Sequence, residues 1–288
     1  MNRWLIGARP RTLPAAVVPV ALGAAAAVGE PGVEWWRVAP AAVVSLALQV
    51  GVNYANDHSD GVRGTDDHRV GPVRLVASGL ASAGAVKRAA LTAFAVAAIA
   101  GLLLAVVTTW WLIAVGAVAI LAGWGYTGGP RPYGYLGLGE VFVFVFFGLV
   151  ATAGTTYVIA ERITSPSWLA GCLAGCLACA LLVVNNLRDI PTDREVGKRT
   201  LAVRIGDRAT RWSFVLLLTL SLVSAIAIAA TSRPWTAVAL VGGVAALPAV
   251  RSVTRGAAGP ELIGVLGATG RAQLVIGSLA ALGMALSG

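Results

Sequence analysis

The sequence predicts an all-α polytopic membrane bundle of about nine transmembrane helices, and three observations carry that expectation. Of its 288 residues, 57% are hydrophobic and 12% charged, with a mean hydropathy of +0.80, far from the composition of a water-soluble domain. Apolar runs recur at close to the ~20 residues that a helix needs to cross roughly 30 Å of hydrocarbon. The runs are continuously apolar, as in residues 214–230, whereas a membrane barrel would alternate in segments of about 10 residues.

Taken in order, the predicted spans are residues 13–28, 38–54, 86–107, 110–126, 138–160, 168–187, 212–230, 235–250 and 272–286. The first follows ARPRTLP and holds Pro14 and Pro19 inside its apolar run, so it reads as an uncleaved first helix rather than a signal peptide. The sixth carries Cys172, Cys176 and Cys179 on one helical face with no histidine nearby, a spacing that reads as small-residue packing rather than a metal site or a disulfide. No linker or tail of a second domain is evident, and residues 1–288 read as one transmembrane domain.

A formal net charge of +9 invites a nucleic-acid partner, but the placement of the charges is topological. Nineteen of the 22 basic residues fall on one side of the predicted spans, against Arg37, Arg162 and Arg233 on the other. The positive-inside rule makes the rich side cytoplasmic, with the N-terminus inside and, for an odd number of spans, the C-terminus outside. The expected partner is the bilayer of the cell membrane, with no nucleic acid.

Two polar stretches, residues 55–85 and 188–211, read as the long loops, and function is sought there. NDHSDGVRGTD (56–66) and NNLRDIPTD (185–193) each place an Asn four residues before an Asp, and the second pair lies 129 positions after the first. Four spans separate them, which suggests a tandem repeat of four-helix units that returns both motifs to the same face. A second register, Asn53 with Asp57, also satisfies the first motif.

Residues four apart share a helix face, so each pair aims an amide and a carboxylate at one spot. Acids this close to hydrocarbon are functional by default. Carboxylate and amide oxygens suit a hard cation, and magnesium takes one or two protein carboxylates plus phosphate oxygens. Asp57, Asp60, Asp66, Asp189 and Asp193, with Asn56 and Asn185, are the candidate metal ligands, whereas His58 and His68 read as polar loop residues. Four carboxylates at about −4, two magnesium ions at +4 and a diphosphate at about −3 leave roughly −3, so basic groups must complete the site. Arg63, Arg188, Arg194, Lys198 and Arg199 flank the acids, and arginine suits bidentate phosphate contacts.

A third segment, GWGYTGGPRPYGYLGLGE (123–140), joins spans four and five. Pro130 and Pro132 preclude a regular helix. Tyr126, Tyr133 and Tyr135 are placed to stack on an aromatic acceptor or to line an allylic cation, and Tyr126 with Arg131, the segment's one arginine, are candidate catalytic residues.

ARPRTLP (8–14), NDHSDGVRGTDDHRVGP (56–72), YTGGPRPYGYLGLGE (126–140) and NNLRDIPTDREVGKRTLAVRIG (185–206) resemble the UbiA superfamily of intramembrane aromatic prenyltransferases, and within it the branch that prenylates 1,4-dihydroxy-2-naphthoate for menaquinone synthesis. The resemblance covers most of the chain. It implies a nine-helix UbiA-like fold with Asp-rich motifs on helices two and six, and binding of two Mg2+ ions and the diphosphate by Asn56, Asp60, Asp66, Asn185, Asp189 and Asp193. It also implies a polyprenyl diphosphate donor, a naphthoate acceptor, loss of CO2 and formation of demethylmenaquinone. The first motif departs from the common superfamily spacing, having five residues between Asp60 and Asp66. Other acceptors of the superfamily, such as 4-hydroxybenzoate or homogentisate, and a cation-coupled transporter are the competing readings. Transport would place acids at mid-span, whereas here they gather at one end beside basic residues.

Overall fold

The computed structural model describes residues 2–65 and 71–288, and its described residues form helices and turns with no strand. Seven helices are long and apolar enough to cross a membrane, and two shorter apolar helices accompany them. In chain order they are α1 (Pro14–Ala26), α2 (Val38–Arg63), α3 (Ala83–Val107), α4 (Trp111–Gly125), α5 (Gly139–Ala160), α6 (Ser165–Glu195), α7 (Leu201–Thr231), α8 (Pro234–Thr254) and α9 (Glu261–Leu286). α1 and α4, with 13 and 15 residues, are the short pair.

The motif helices run beyond the predicted spans. α2 continues through the first motif to Arg63, where Gly64, at φ 69°, caps it by turning its N–H back to Asp60 and Gly61. α6 continues to Glu195 through Pro191. The stretch expected as a loop over 188–211 is therefore mostly helix, with only 196–200 between α6 and α7. Apolar residues end where the membrane ends, but helical hydrogen bonding does not require them, and a polar helix end supported by tertiary contacts persists into the interface.

α6 is the hub: 78% of its most apolar window is buried inside the protein, and no other spanning helix exceeds 50%. It packs along α7 as α2 packs along α3, the two most extensive helix pairs and the two that the expected repeat would superpose. Glycines let α5 and α6 approach backbone to backbone. A Cβ at Gly148 would lie 2.6 Å from Gly175 Cα and 2.7 Å from Gly171 O. At this crossing, residues Phe144–Val150 of α5 form a π-helical segment that spreads Phe146, Phe147 and Val150 along a cavity wall. α8 is broken into 3-10 and α-helical pieces around Pro234, Gly243 and Pro248, residues poor at sustaining a helix.

The three basic residues of the poor side are engaged structurally. Arg37 is buried and donates to Val158 O (3.1 Å), Val107 O (3.1 Å) and the Glu161 carboxylate (2.8 Å), closing the ends of α3 and α5 with one guanidinium. Arg233, also buried, donates to Val28 O (2.7 Å) and Met284 O (3.5 Å) beside the ends of α1 and α9. Arg162 pairs with Glu30 at 3.6 Å. The Arg37 and Arg233 guanidiniums supply donors to carbonyls at helix ends, where intrahelical partners run out.

A branched side chain at the α5–α6 crossing tests this packing. Gly148→Leu is expected to lower the melting temperature in detergent by an overpacking penalty of about 1–3 kcal/mol; an unchanged melting curve would contradict the close approach.

Candidate functional site

α2 and α6 bring their polar ends to the mouth of one cavity of about 710 Å3. Asn56, Asp60, Asn185, Asp189, Asp193 and Lys198 line its polar part, joined by Arg9, Arg11 and Arg74 at the same end. Its deeper wall is apolar and aromatic, with Tyr126, Tyr133, Phe142, Phe146, Leu112 and Val158 among its lining residues. Tyr133 stacks on Phe142 with centroids 3.9 Å apart, and Tyr126 tilts against Tyr133 at 5.5 Å.

Asp60 is the junction. Its Oδ1 accepts a hydrogen bond from the Tyr135 hydroxyl (2.6 Å) and lies 3.2 Å from Lys198 Nζ. The Lys198 ammonium stands 4.7 Å from the Tyr135 ring centroid, on which Arg63 also rests at 5.3 Å. Burial alone would pull the Lys198 ammonium down, but the Asp60 carboxylate, aided by Tyr135 and Asp193, outweighs it and holds the group above its ordinary value. Burial and then Asp60 push the Tyr135 phenol up, so it stays a donor.

On α6, the Arg188 guanidinium forks onto Asp189, Nε to Oδ1 and Nη2 to Oδ2, both at 2.8 Å. The same Nη2 reaches Asn185 Oδ1 at 2.8 Å, while Nη1 is buried without a partner among the described residues. Asp193 receives a long bond from Thr200 Oγ1 (3.5 Å), and its carbonyl holds the Lys198 N–H at 2.8 Å, which turns the 196–200 connection back toward the cavity. Thr127 donates to Asn56 Oδ1 at 2.7 Å and fixes that amide.

The structure separates the two registers of the first motif. Asp57 is fully buried, and its two oxygens accept the backbone N–H groups of Leu75 (2.8 Å) and Val76 (3.0 Å). Its place among the expected metal ligands is therefore corrected: it lies outside the cavity lining and anchors the 71–82 connection. Asn53 donates to Ala8 O (2.9 Å) and Thr12 Oγ1 (3.0 Å), tying α2 to the segment that leads into α1. Asp66 and His68 lie outside the described residues.

Three basic candidates also move. Arg131 is exposed and does not line the cavity, because the turn after Pro130 carries it outward. Arg63 spends its guanidinium on the carbonyls of Thr127 and Gly129, so it orders the 127–135 turn. Arg199 is exposed, and its backbone N–H donates to Tyr135 O at 3.0 Å. Residues that sequence reasoning missed are Thr127, the Asn186–Glu140 pair (3.0 Å), and Arg188 as the bidentate partner of Asp189 rather than one base among several. A lone acid beginning an apolar run, Glu140, was the available signal for the pair.

The donor set suits a hard cation. Three carboxylates and two amides line one cavity mouth, all oxygen donors. Among the described residues no three His, Cys, Asp or Glu side chains stand close enough to hold an ion by themselves, which fits an ion whose remaining ligands are phosphate oxygens and water.

The UbiA prenyltransferase family model matches residues 16–260. The chain is 51% identical to the 1,4-dihydroxy-2-naphthoate octaprenyltransferase of Mycobacterium tuberculosis over 95% of this chain and 93% of that one. It is 38% identical to the Escherichia coli protein of the same name, over 75% and 72% of the two chains. The fold is similar to that of a UbiA homolog from Archaeoglobus fulgidus bound to GPP and Mg2+, with a TM-score of 0.66 at 12% identity, covering 95% of this chain and 99% of that one.

Asp57→Asn discriminates anchor from ligand. One backbone N–H of the 75–76 pair loses its acceptor, at a cost of about 1–3 kcal/mol. Limited proteolysis should show faster cleavage in 71–82 and a lowered melting temperature; a wild-type digestion pattern would return Asp57 to the ligand set.

Proposed function

The chain belongs to the UbiA prenyltransferase family, and we propose that it transfers a polyprenyl group from polyprenyl diphosphate to 1,4-dihydroxy-2-naphthoate, releasing CO2 and diphosphate on the way to demethylmenaquinone. The observation that carries this reading is the cavity itself: two Asn/Asp helix ends meet at a polar mouth, and an apolar, aromatic interior continues from it. A diphosphate fits the first part and a prenyl chain the second. Each CH2 gains about 0.8 kcal/mol outside water, so a long donor belongs in lipid and in such a cavity.

Asp60, Asp189 and Asp193, with the Asn56 and Asn185 amides, would hold Mg2+, two ions in our reading, together with the diphosphate. Bound magnesium supplies Lewis-acid charge to a leaving diphosphate. Lys198 supplies fixed positive charge at the mouth, where a low dielectric strengthens it, and Arg188, outside the cavity lining, holds the Asp189 carboxylate in place through its fork. Tyr126, Tyr133 and Phe142 line the cavity beyond the mouth, where their π systems would favour a developing allylic cation over water. The electron-rich naphthoate ring attacks that carbon, its carboxyl group departs as CO2, and diphosphate leaves.

The protein is a multi-pass membrane protein. In our reading all nine apolar helices span the cytoplasmic membrane, with the N-terminus and the cavity mouth on the cytoplasmic side and the C-terminus outside. Nineteen of 22 basic residues gathered on the side of the mouth support that orientation.

Purified protein should release diphosphate from a long prenyl diphosphate only with Mg2+ and dihydroxynaphthoate both present. Chelation should stop it, Asp60→Asn or Asp189→Asn should lower turnover by roughly a hundredfold or more in folded protein, and 4-hydroxybenzoate should fail as acceptor. Turnover that survives chelation, or a preference for 4-hydroxybenzoate, would sink the assignment.

Gly116 and Gly154 line the cavity and have open space where a Cβ would stand. Gly116→Leu and Gly154→Leu should therefore depress turnover of a C40 donor far more than that of a C10 donor. Equal effects on both lengths would show that the chain runs elsewhere.

A further inference from the structure

Asn186 sits beside the metal-motif residue Asn185 on α6, yet nothing in the diphosphate chemistry uses it. It is 6% exposed and lines the cavity. Its Nδ2 donates to Glu140 Oε1 at 3.0 Å, across the α5–α6 contact. The Glu140 carboxylate accepts and does not donate, so in its ionised form it fixes the amide one way round, with nitrogen toward Glu140. That leaves Asn186 Oδ1 as a preset acceptor on the cavity wall, with no partner among the described residues.

The surroundings say what it would accept from. Leu182, one turn earlier on α6, lines the same wall. A Cβ at Gly139 would lie 3.1 Å from the Tyr126 ring, 3.4 Å from its hydroxyl oxygen and 3.5 Å from Leu182. Tyr126 and Leu182 therefore pack over Gly139, the residue before Glu140, and Tyr126 lines the same cavity as Asn186. The hydroxyls of an aromatic ring lie in its plane, so a ring held in this cavity would offer Oδ1 an edge rather than a face.

Resting on the proposed function, we infer that Asn186 Oδ1 accepts a hydrogen bond from one ring hydroxyl of the dihydroxy-aromatic acceptor, and that Glu140 is the positioning residue that holds the amide in the accepting orientation. The pair reads the acceptor and not the prenyl donor. A site built to bond a hydroxyl rejects the analogue lacking it, because a buried polar group is then left unpaired. Glu140 Oε2 is buried without a partner among the described residues, so the Asn186 amide is the side chain that engages this carboxyl.

The test compares 1,4-dihydroxy-2-naphthoate with 1-hydroxy-2-naphthoate and 4-hydroxy-2-naphthoate, each as substrate or as competing ligand of the Mg2+-loaded enzyme in detergent. The wild type should prefer the diol over one of the two monohydroxy compounds by roughly ten- to a hundredfold. Asn186→Leu should erase that one preference while leaving KM for the prenyl diphosphate unchanged. Glu140→Gln, whose amide lets Asn186 turn over, should shrink the same preference, and Glu140→Asp should restore part of it. The readout is a ratio within one preparation, so partial unfolding cancels, and Glu140→Gln carries the test if the leucine variant does not fold. Equal losses on all three acceptors, or a raised donor KM, would overturn the inference. A wild type that turns over none of the naphthoates fails the proposed function instead.

Discussion

Everything at the cavity mouth depends on one carboxylate oxygen. Asp60 Oδ1 is shared by Tyr135 from the α4–α5 turn and Lys198 from the α6–α7 turn, so a single atom of α2 ties three segments distant in sequence. A lone carboxylate at this depth would be strongly disfavoured, and so would a lone ammonium. Together with a phenol O–H they are tolerable, and their geometry sets where the two turns can lie. The Arg188–Asp189 fork does the same within α6, where it holds the second motif rigid before any ligand arrives.

The rest of the bundle keeps that junction in register. At the opposite end, Arg37 and Arg233 each bridge the ends of two helices, so the far ends of α3, α5, α1 and α9 are pinned in pairs. Between the two ends, glycine contacts replace side-chain contacts. Gly277 of α9 meets Val18, Gly23 of α1 meets Thr152 and Thr155, and Gly148 meets Gly175. Lipid tails are as apolar as leucine, so close backbone approach, not hydrophobic expulsion, holds such helices together. Several of the chain's glycines have their physical reason here.

Much of this was legible in the sequence. The apolar runs located the helices, and the Asn/Asp spacing located both motif ends. The choice between Asp57 and Asp60 was not legible. They stand three residues apart, about 60° around the helix, and which one faces the cavity is decided by the 71–82 connection that claims Asp57 through two backbone N–H groups. Arg199 shows the converse limit, since charge counting required bases near the acids but could not say which side of a turn they leave by, and Arg131, singled out as its segment's one arginine, also leaves by the outer side. The π segment of α5 and the breaks in α8 were equally hidden, since a hydropathy run does not distinguish one helical pitch from another.

Polarity is graded along the cavity, and the grading has a chemical logic. Full charges stand at the mouth, where the carboxylates of Asp60, Asp189 and Asp193 outnumber the Lys198 ammonium and leave an excess of negative charge suited to a cation. A neutral amide, Asn186, comes beside them, with the Glu140 carboxyl kept behind it rather than on the cavity wall. Aromatic and aliphatic walls complete the interior. A carboxylate placed directly on the wall near a developing allylic cation would invite capture of that cation or a stray proton transfer. An amide oriented by a carboxyl behind it would give direction to a hydroxyl while presenting a weaker nucleophile than a carboxylate, and so would leave the reacting carbon to the aromatic ring.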